Sequence, residues 1–209
     1  MHNLTFQHLL LGIFAVANNF PALGLFLTLC KGLSKIKQER LTRIATLSAL
    51  ITMVLALFTG QFILEFFGIS INAFRITGGI VLAMSGVSML NAKTFSTEAA
   101  PQKQDLRQMI PVAIVPIAIP LTTGAGTIST ITIFSEELHS SHAHIWGLLC
   151  AILIMTVIIY ITFKYSTTLL KFLGDTGMNV LIKITGLFTL AIGVQFIIDG
   201  IAQIFPALV

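Results

Sequence analysis

The sequence predicts an all-α polytopic membrane protein: six transmembrane helices arranged as two inverted-topology three-helix repeats, with the first and fourth helices interrupted at the midplane. Three observations carry that expectation. The 209 residues are 56% hydrophobic and 10% charged, against about 25% charged in an average soluble domain. Apolar runs of the roughly twenty residues that a helix needs to cross a bilayer recur along the whole chain. And two stretches, one in each half, repeat the same ordered pattern of Gly, Asn, a basic residue and Ile-Thr-Gly.

The apolar segments cover residues 5–30, 42–67, 72–91, 110–134, 145–168 and 180–204. Between them lie KGLSKIKQERLTR, the tight link FGISIN, the polar stretch NAKTFSTEAAPQKQDLRQ, SEELHSSHAH and KFLGDTGMN. The expected organisation is therefore a first three-helix repeat at 1–91, a polar cytoplasmic linker at 92–109 and a second repeat at 110–209. The opening MHNLTFQHLL lacks a basic region and precedes an apolar run longer than a signal peptide carries, so the first segment is expected to stay in the mature protein. Cys30 and Cys150 have neither CxxC nor metal-ligand spacing and read as small packing residues.

Charge sets the expected orientation. With the N-terminus outside, Lys31, Lys35, Lys37, Arg40, Arg43, Lys93, Lys103, Arg107, Lys164, Lys171 and Lys183 all fall on the cytoplasmic side, and of the 12 basic residues only Arg75 lies outside. The positive-inside rule thus selects N-out and C-out, in a multi-pass inner-membrane protein. The net charge of +4 is spent at the ends of apolar segments rather than on a basic face, which argues against a nucleic-acid partner and for the lipid bilayer.

The internal similarity pairs FGISINAFRITGG (67–79) with LGDTGMNVLIKITG (173–186), and Gly86-Val87 with Gly193-Val194, at an offset near 107 residues. An odd number of helices per half forces the halves into opposite orientations. Inverted repeats are a recurrent build for secondary transporters, whose substrate sites sit at interrupted helices near the midplane. Both interruptions are present. The first segment carries NNFPALG, with Asn18, Asn19, Pro21 and Gly24 near its centre, and the fourth carries Pro111, Pro116, Pro120, Thr122, Thr123, Gly124, Gly126 and Thr127. Irregular backbone inside a membrane is tolerated only where protein or water satisfies it. Half-helix N-termini suit an anion, and Asn and Thr side chains complement an ammonium group. Asn18, Asn19, Pro21, Gly24, Pro120, Thr122, Thr123, Gly124, Gly126 and Thr127 are therefore the expected substrate-binding residues, and a small zwitterion is the expected ligand.

With these residues the chain resembles the MarC family of six-helix bacterial inner-membrane proteins over essentially its whole length. The carriers are the Asn/Pro break of the first segment, GISINAFRITGGI (68–80), PIAIPLTTGAGTIST (116–130) and GVQFIIDGI (193–201). The family's first motif is similar to N-P-x-G-x-x-P, where this chain has Asn19 after Asn18. Its second runs Gly-Pro-Gly, where this chain has Gly124-Ala125-Gly126. The resemblance implies transport of small neutral amino acids, of the glycine, alanine and serine class, by alternating access, with Asn18, Pro21, Gly24, Thr123, Gly124, Gly126 and Thr127 in the two break motifs. Export of drugs or other small metabolites, and a passive channel-like role, are the competing expectations.

No paired acid and base, HExxH motif or activated nucleophile lies within an apolar segment, so neither an enzyme nor a bound cofactor is expected. Energy coupling to sodium or to protons fits equally. Glu65 and Asp199 are the carboxylates nearest a coupling role, although both lie toward the outer helix ends, where a carboxylate that snorkels to the interface or pairs with Arg75 is the plainer expectation. His139, His142 and His144 beside Glu136 and Glu137 have metal-ligand chemistry, but on so short a polar link they read as a solvated loop.

Overall fold

In the computed structural model, residues 6–17, 20–30, 33–91, 123–138 and 142–205 are described, and every regular element among them is an α-helix. These are α1 (Phe6–Val16), α2 (Phe20–Cys30), α3 (Lys35–Phe66), α4 (Ile71–Leu90), α5 (Ala125–Glu137), α6 (His142–Lys164) and α7 (Ser166–Ile204). Four of them are long and apolar enough to span a membrane: α3, α4, α6 over Ile145–Lys164, and α7. The first apolar segment is instead two helices of 11 residues each, α1 and α2, with the chain leaving helical geometry at Ala17. Of the fourth segment, α5 is described and the proline-rich part before Thr123 lies outside the described residues.

Side chains are distributed as a lipid environment asks. Along α3, Leu47, Ile51, Leu55, Phe58, Phe62 and Phe66 recur at helical spacing and are exposed, while Ala45, Ala49, Met53, Ala56 and Gly60 are buried. From Leu47 to Phe62 the outward face thus carries only large apolar groups, while the inward face includes most of the helix's small residues beside Leu41, Met53, Leu57 and Leu64. Lipid tails are as apolar as leucine, so close backbone approach rather than hydrophobic exclusion holds such helices together.

The approach is closest between α4 and α7, which form the most extensive helix pairing. A Cβ on Gly79 would lie 2.5 Å from the Gly193 carbonyl oxygen, and one on Gly86 would lie 2.7 Å from that of Gly186. Gly200 meets Ile76 and the Asn72 carbonyl in the same way. The pairs Asn72–Gly200, Gly79–Gly193 and Gly86–Gly186 advance by seven residues on each helix in opposite senses. This is an antiparallel seam in strict register.

The links are shorter than the apolar pattern suggests. Only 31–34 separate α2 from α3, because α3 begins at Lys35 and takes up most of KGLSKIKQERLTR. Gln38 holds that corner, donating its amide hydrogens to the carbonyls of Cys30 (3.1 Å) and Leu33 (3.0 Å). FGISIN ends α3 in a Schellman motif: Ile69 N donates to Leu64 O and Gly68 N to Glu65 O, with Gly68 at φ 66°. Ser70 then caps α4 by accepting from Ala73 N. KFLGDTGMN, expected to be a link, does hold a break: within the stretch labelled α7 two helices meet at Gly174 (φ 64°, ψ 178°), a conformation essentially reserved for glycine, so the link is a single residue rather than nine. Cys30 is buried as expected, whereas Cys150 is exposed and packs nothing.

Gly193→Ala forces a methyl group against the backbone of α4 and should cost about 2–3 kcal/mol. Gly68→Ala meets nothing within 4 Å and carries only the positive-φ penalty, about 1 kcal/mol. Thermal unfolding of the two variants in detergent should therefore rank Gly193→Ala clearly lower.

Candidate functional site at the broken helices

The site is built around α5, a 13-residue helix with almost no outward face. Gly126, Thr127 and every residue from Ser129 to Ser135 are buried. On the α4 side, Leu82 presses on Gly126 and Ser129 sits against Gly78. On the α3 side, Thr132 sits against Gly60, and Ser135 donates to the Leu57 carbonyl at 3.2 Å. Phe134 fills the notch at Gly12 of α1 and meets Phe196 of α7 edge-on at 6.4 Å. Glycines on the neighbouring helices make room for a helix that carries five hydroxyl side chains among its 13 residues.

At one end of α5, the backbone N–H groups of the first turn follow the N-cap Gly124, whose extended ψ of −178° stops the helix from continuing backward. A hydroxyl of that first turn, Thr127 Oγ1, donates to the Val16 carbonyl at 3.2 Å. From α7, Thr189 Oγ1 donates to the Ala15 carbonyl at 2.8 Å. Ala15 and Val16 are the last residues of α1, where a helix leaves its final carbonyls without intrahelical donors. Ala17 N still reaches Ile13 O at 2.7 Å, so regular helical bonding runs as far as Ala17. The structure thus sets the carbonyl end of one short helix beside the N–H end of another, each carrying roughly half an elementary charge of opposite sign.

The expected binding residues divide accordingly. Thr123, Gly124, Gly126 and Thr127 gather at the start of α5, and Thr123 and Thr127 are fully buried. Pro21 lies in the first turn of α2, where its missing N–H costs no intrahelical bond, and Gly24 lies within the same helix. Asn18, Asn19, Pro120 and Thr122 lie outside the described residues. Thr189 was not among the expected residues. A threonine inside a long apolar helix commonly bonds its own preceding turn, so the sequence carries no signal that this one reaches another helix.

Glu65 and Asp199 are not brought to this place. Glu65 accepts from Gln61 at 3.3 Å and Asp199 from Gln195 at 2.8 Å, both on exposed faces. Neither pairs with Arg75; of the two plain expectations for them, exposure toward the surface is the one that holds. Arg75, 5% exposed, instead binds Glu137 at the C-terminal end of α5, with Nη2 and Oε1 2.5 Å apart. The reason is geometric: Arg75 lies on the buried face of α4 with Gly78 and Gly79, the face that α5 and α7 cover. Among the described residues no group of three or more His, Cys, Asp or Glu could hold a metal ion. His139 lies outside the described residues, as do the side chains of His142 and His144.

Spanning helices with outward-facing phenylalanines and a hydroxyl-lined centre define an integral membrane protein. The sequence matches the MarC family of integral membrane proteins over residues 4–205, and the chain belongs to that family. It is 32% identical to the UPF0056 membrane protein YhcE of Escherichia coli K12 over 199 residues, 95% of this chain and 92% of that one. It is 30% identical to the inner membrane protein MarC of Escherichia coli O1:K1, covering 90% of each chain, and 28% identical to YvbG of Bacillus subtilis, covering 96% of each. No solved structure matches the chain.

Removing one partner of the Arg75–Glu137 pair should be asymmetric. Glu137→Ala strands a guanidinium that is 6% exposed, at a cost of about 3 kcal/mol, whereas Arg75→Met leaves a carboxylate that is 31% exposed and can hydrate. Unfolding midpoints should place Glu137→Ala below Arg75→Met, with Arg75→Met/Glu137→Gln recovering most of the loss.

Proposed function

We propose that the protein is a secondary transporter for small neutral amino acids of the glycine, alanine and serine class, working by alternating access between two inverted three-helix halves. The observation that carries the proposal is the pairing of helix ends at the break, with Thr127 of α5 bonded to Val16 of α1. The N–H end of α5 suits a carboxylate, and the carbonyl end of α1 suits an ammonium group. A ligand carrying both charges a few bonds apart and little else matches a site with this polarity and no formal charge. Asn18 and Asn19, which follow α1 in the sequence and lie outside the described residues, complete the proposed set of polar ligand groups.

The inverted arrangement is supported by the α4–α7 seam. Shifting every number by the 107 residues that separate Asn72 from Asn179 turns the pair Gly79–Gly193 into Gly186–Gly86, which is also a contact of the seam. A half-turn about an axis in the membrane plane would produce that exchange. The N-out, C-out orientation gains support from Arg75, the lone basic residue that it places outside. Arg75 is buried and neutralised by Glu137, so it is not an exposed loop charge of the kind the positive-inside rule weighs. Residence in the inner membrane of a bacterium follows the same orientation. Coupling to sodium or to protons belongs to the proposal as alternatives. Glu65 and Asp199 are weak candidates for it, because both carboxylates lie on exposed helix faces away from the break.

Reconstituted into liposomes loaded with unlabelled amino acids, the protein should show saturable counterflow of labelled glycine, alanine or serine. Asn18→Ala should cut the rate at least about tenfold, the worth of one buried hydrogen bond, with folding intact. Silence of the wild type toward all three substrates would remove the amino-acid reading. Flux of the labelled solute without dependence on internal substrate would favour a channel.

A further inference from the structure

Thr189 occupies a singular place in the fold. It lies midway between Gly186 and Gly193, at the centre of the α4–α7 seam, and is buried. Its counterpart across the seam is Leu82, beside Ala83, which Gly193 approaches. Each of these two central residues touches a broken segment belonging to the other half of the chain. Leu82, in the first half, presses on Gly126 at the start of α5. Thr189, in the second half, donates to the Ala15 carbonyl at the end of α1. The two contacts are related in position and opposite in chemistry, one apolar against a glycine, the other a hydrogen bond to a helix end.

The hydroxyl of Thr189 has one proton and two acceptors within reach: Ala15 O at 2.8 Å and Thr185 O, one turn earlier in its own helix, at 2.9 Å. A buried donor that loses its only acceptor is costly. Here the proton can pass to Thr185 O by rotation about a single bond, so α1 can separate from α7 without stranding the hydroxyl. When the hydroxyl points to Ala15, it holds a carbonyl in the last turn of α1, where helices run short of intrahelical donors.

We propose that Thr189 is a positioning residue for the end of α1: its hydroxyl holds the Ala15 carbonyl there and swings to Thr185 as the helix moves. The transport consequence rests on the function proposed above, whereas the structural consequence does not. Its site is the α7 side of the break, which the sequence motifs do not mark.

The test compares Thr189→Ser, Thr189→Val and Thr189→Ala with wild type, adding Leu82→Ala as a control on the opposite side of the seam. Thr189→Ala guards against a folding failure of Thr189→Val. Two measurements are made on the purified, folded proteins: amide hydrogen exchange in peptides covering residues 9–17, and counterflow kinetics with labelled glycine. Loss of the hydroxyl should speed exchange at the end of α1 at least fivefold and raise KM about tenfold, with kcat within about twofold. Thr189→Ser should restore both, and Leu82→Ala should leave exchange in 9–17 at the wild-type rate. Wild-type exchange and wild-type KM in both Thr189→Val and Thr189→Ala would overturn the proposal. Equal disturbance in Thr189→Ser would also overturn it, since packing rather than the hydroxyl would then be responsible. Faster exchange in a protein whose wild type shows no counterflow would uphold the positioning role and remove the transport reading instead.

Discussion

A helix that stops inside an apolar bundle leaves carbonyls that water does not reach, and the structure is organised around meeting that demand. The last residues of α1 have their carbonyls met by hydroxyls from α5 and α7. Those hydroxyls must come close, so the helices that carry them must pack tightly, so their neighbours present glycine. The small residues of the seam and the threonines at the break are therefore parts of one solution. Without the hydroxyls the break would be untenable in lipid, and without the glycines the hydroxyls could not arrive.

Polar side chains take two distinct forms in this arrangement. The hydroxyls of Thr127, Thr130 and Ser135 on α5 and of Thr185 and Thr189 on α7 lie deep, carry no formal charge and satisfy backbone carbonyls. The formal charges lie at helix ends or on exposed faces, apart from Arg75, which is held by Glu137. A glutamate in the last turn of α5 opposes the helix dipole, and no basic residue shares that turn, so Arg75 answers both the carboxylate and the helix end. That pair ties the end of α5 distant from the break to α4, the helix that also anchors the seam.

Much of this was legible in the sequence because its causes are local. The break after Val16 follows from Asn18, Asn19 and Pro21, and the start of α5 from Gly124 and the threonines around it. The buried faces of α4 and α7 follow from the recurrence of glycine at spacings of seven. What escaped has causes that are distant along the chain. Arg75 finds Glu137 62 residues away, and Thr189 finds Ala15 174 residues away, and neither partner differs in composition from residues that do nothing of the kind. KFLGDTGMN read as a link because its polar residues suggest one, and two helices do meet there, although the break is narrower than the polar stretch because Gly174 alone makes it.

The seam has one more property. Gly79 and Gly86 of α4 stand seven residues apart, as do Gly186 and Gly193 of α7, and the helices meet head to tail. Either surface is thus complementary to an inverted copy of itself, the condition for an isologous contact between identical subunits. The two helix faces nevertheless differ at the middle of the seam, where leucine stands at position 82 on one and threonine at position 189 on the other, so two copies of either helix would meet there with chemistry unlike that now present.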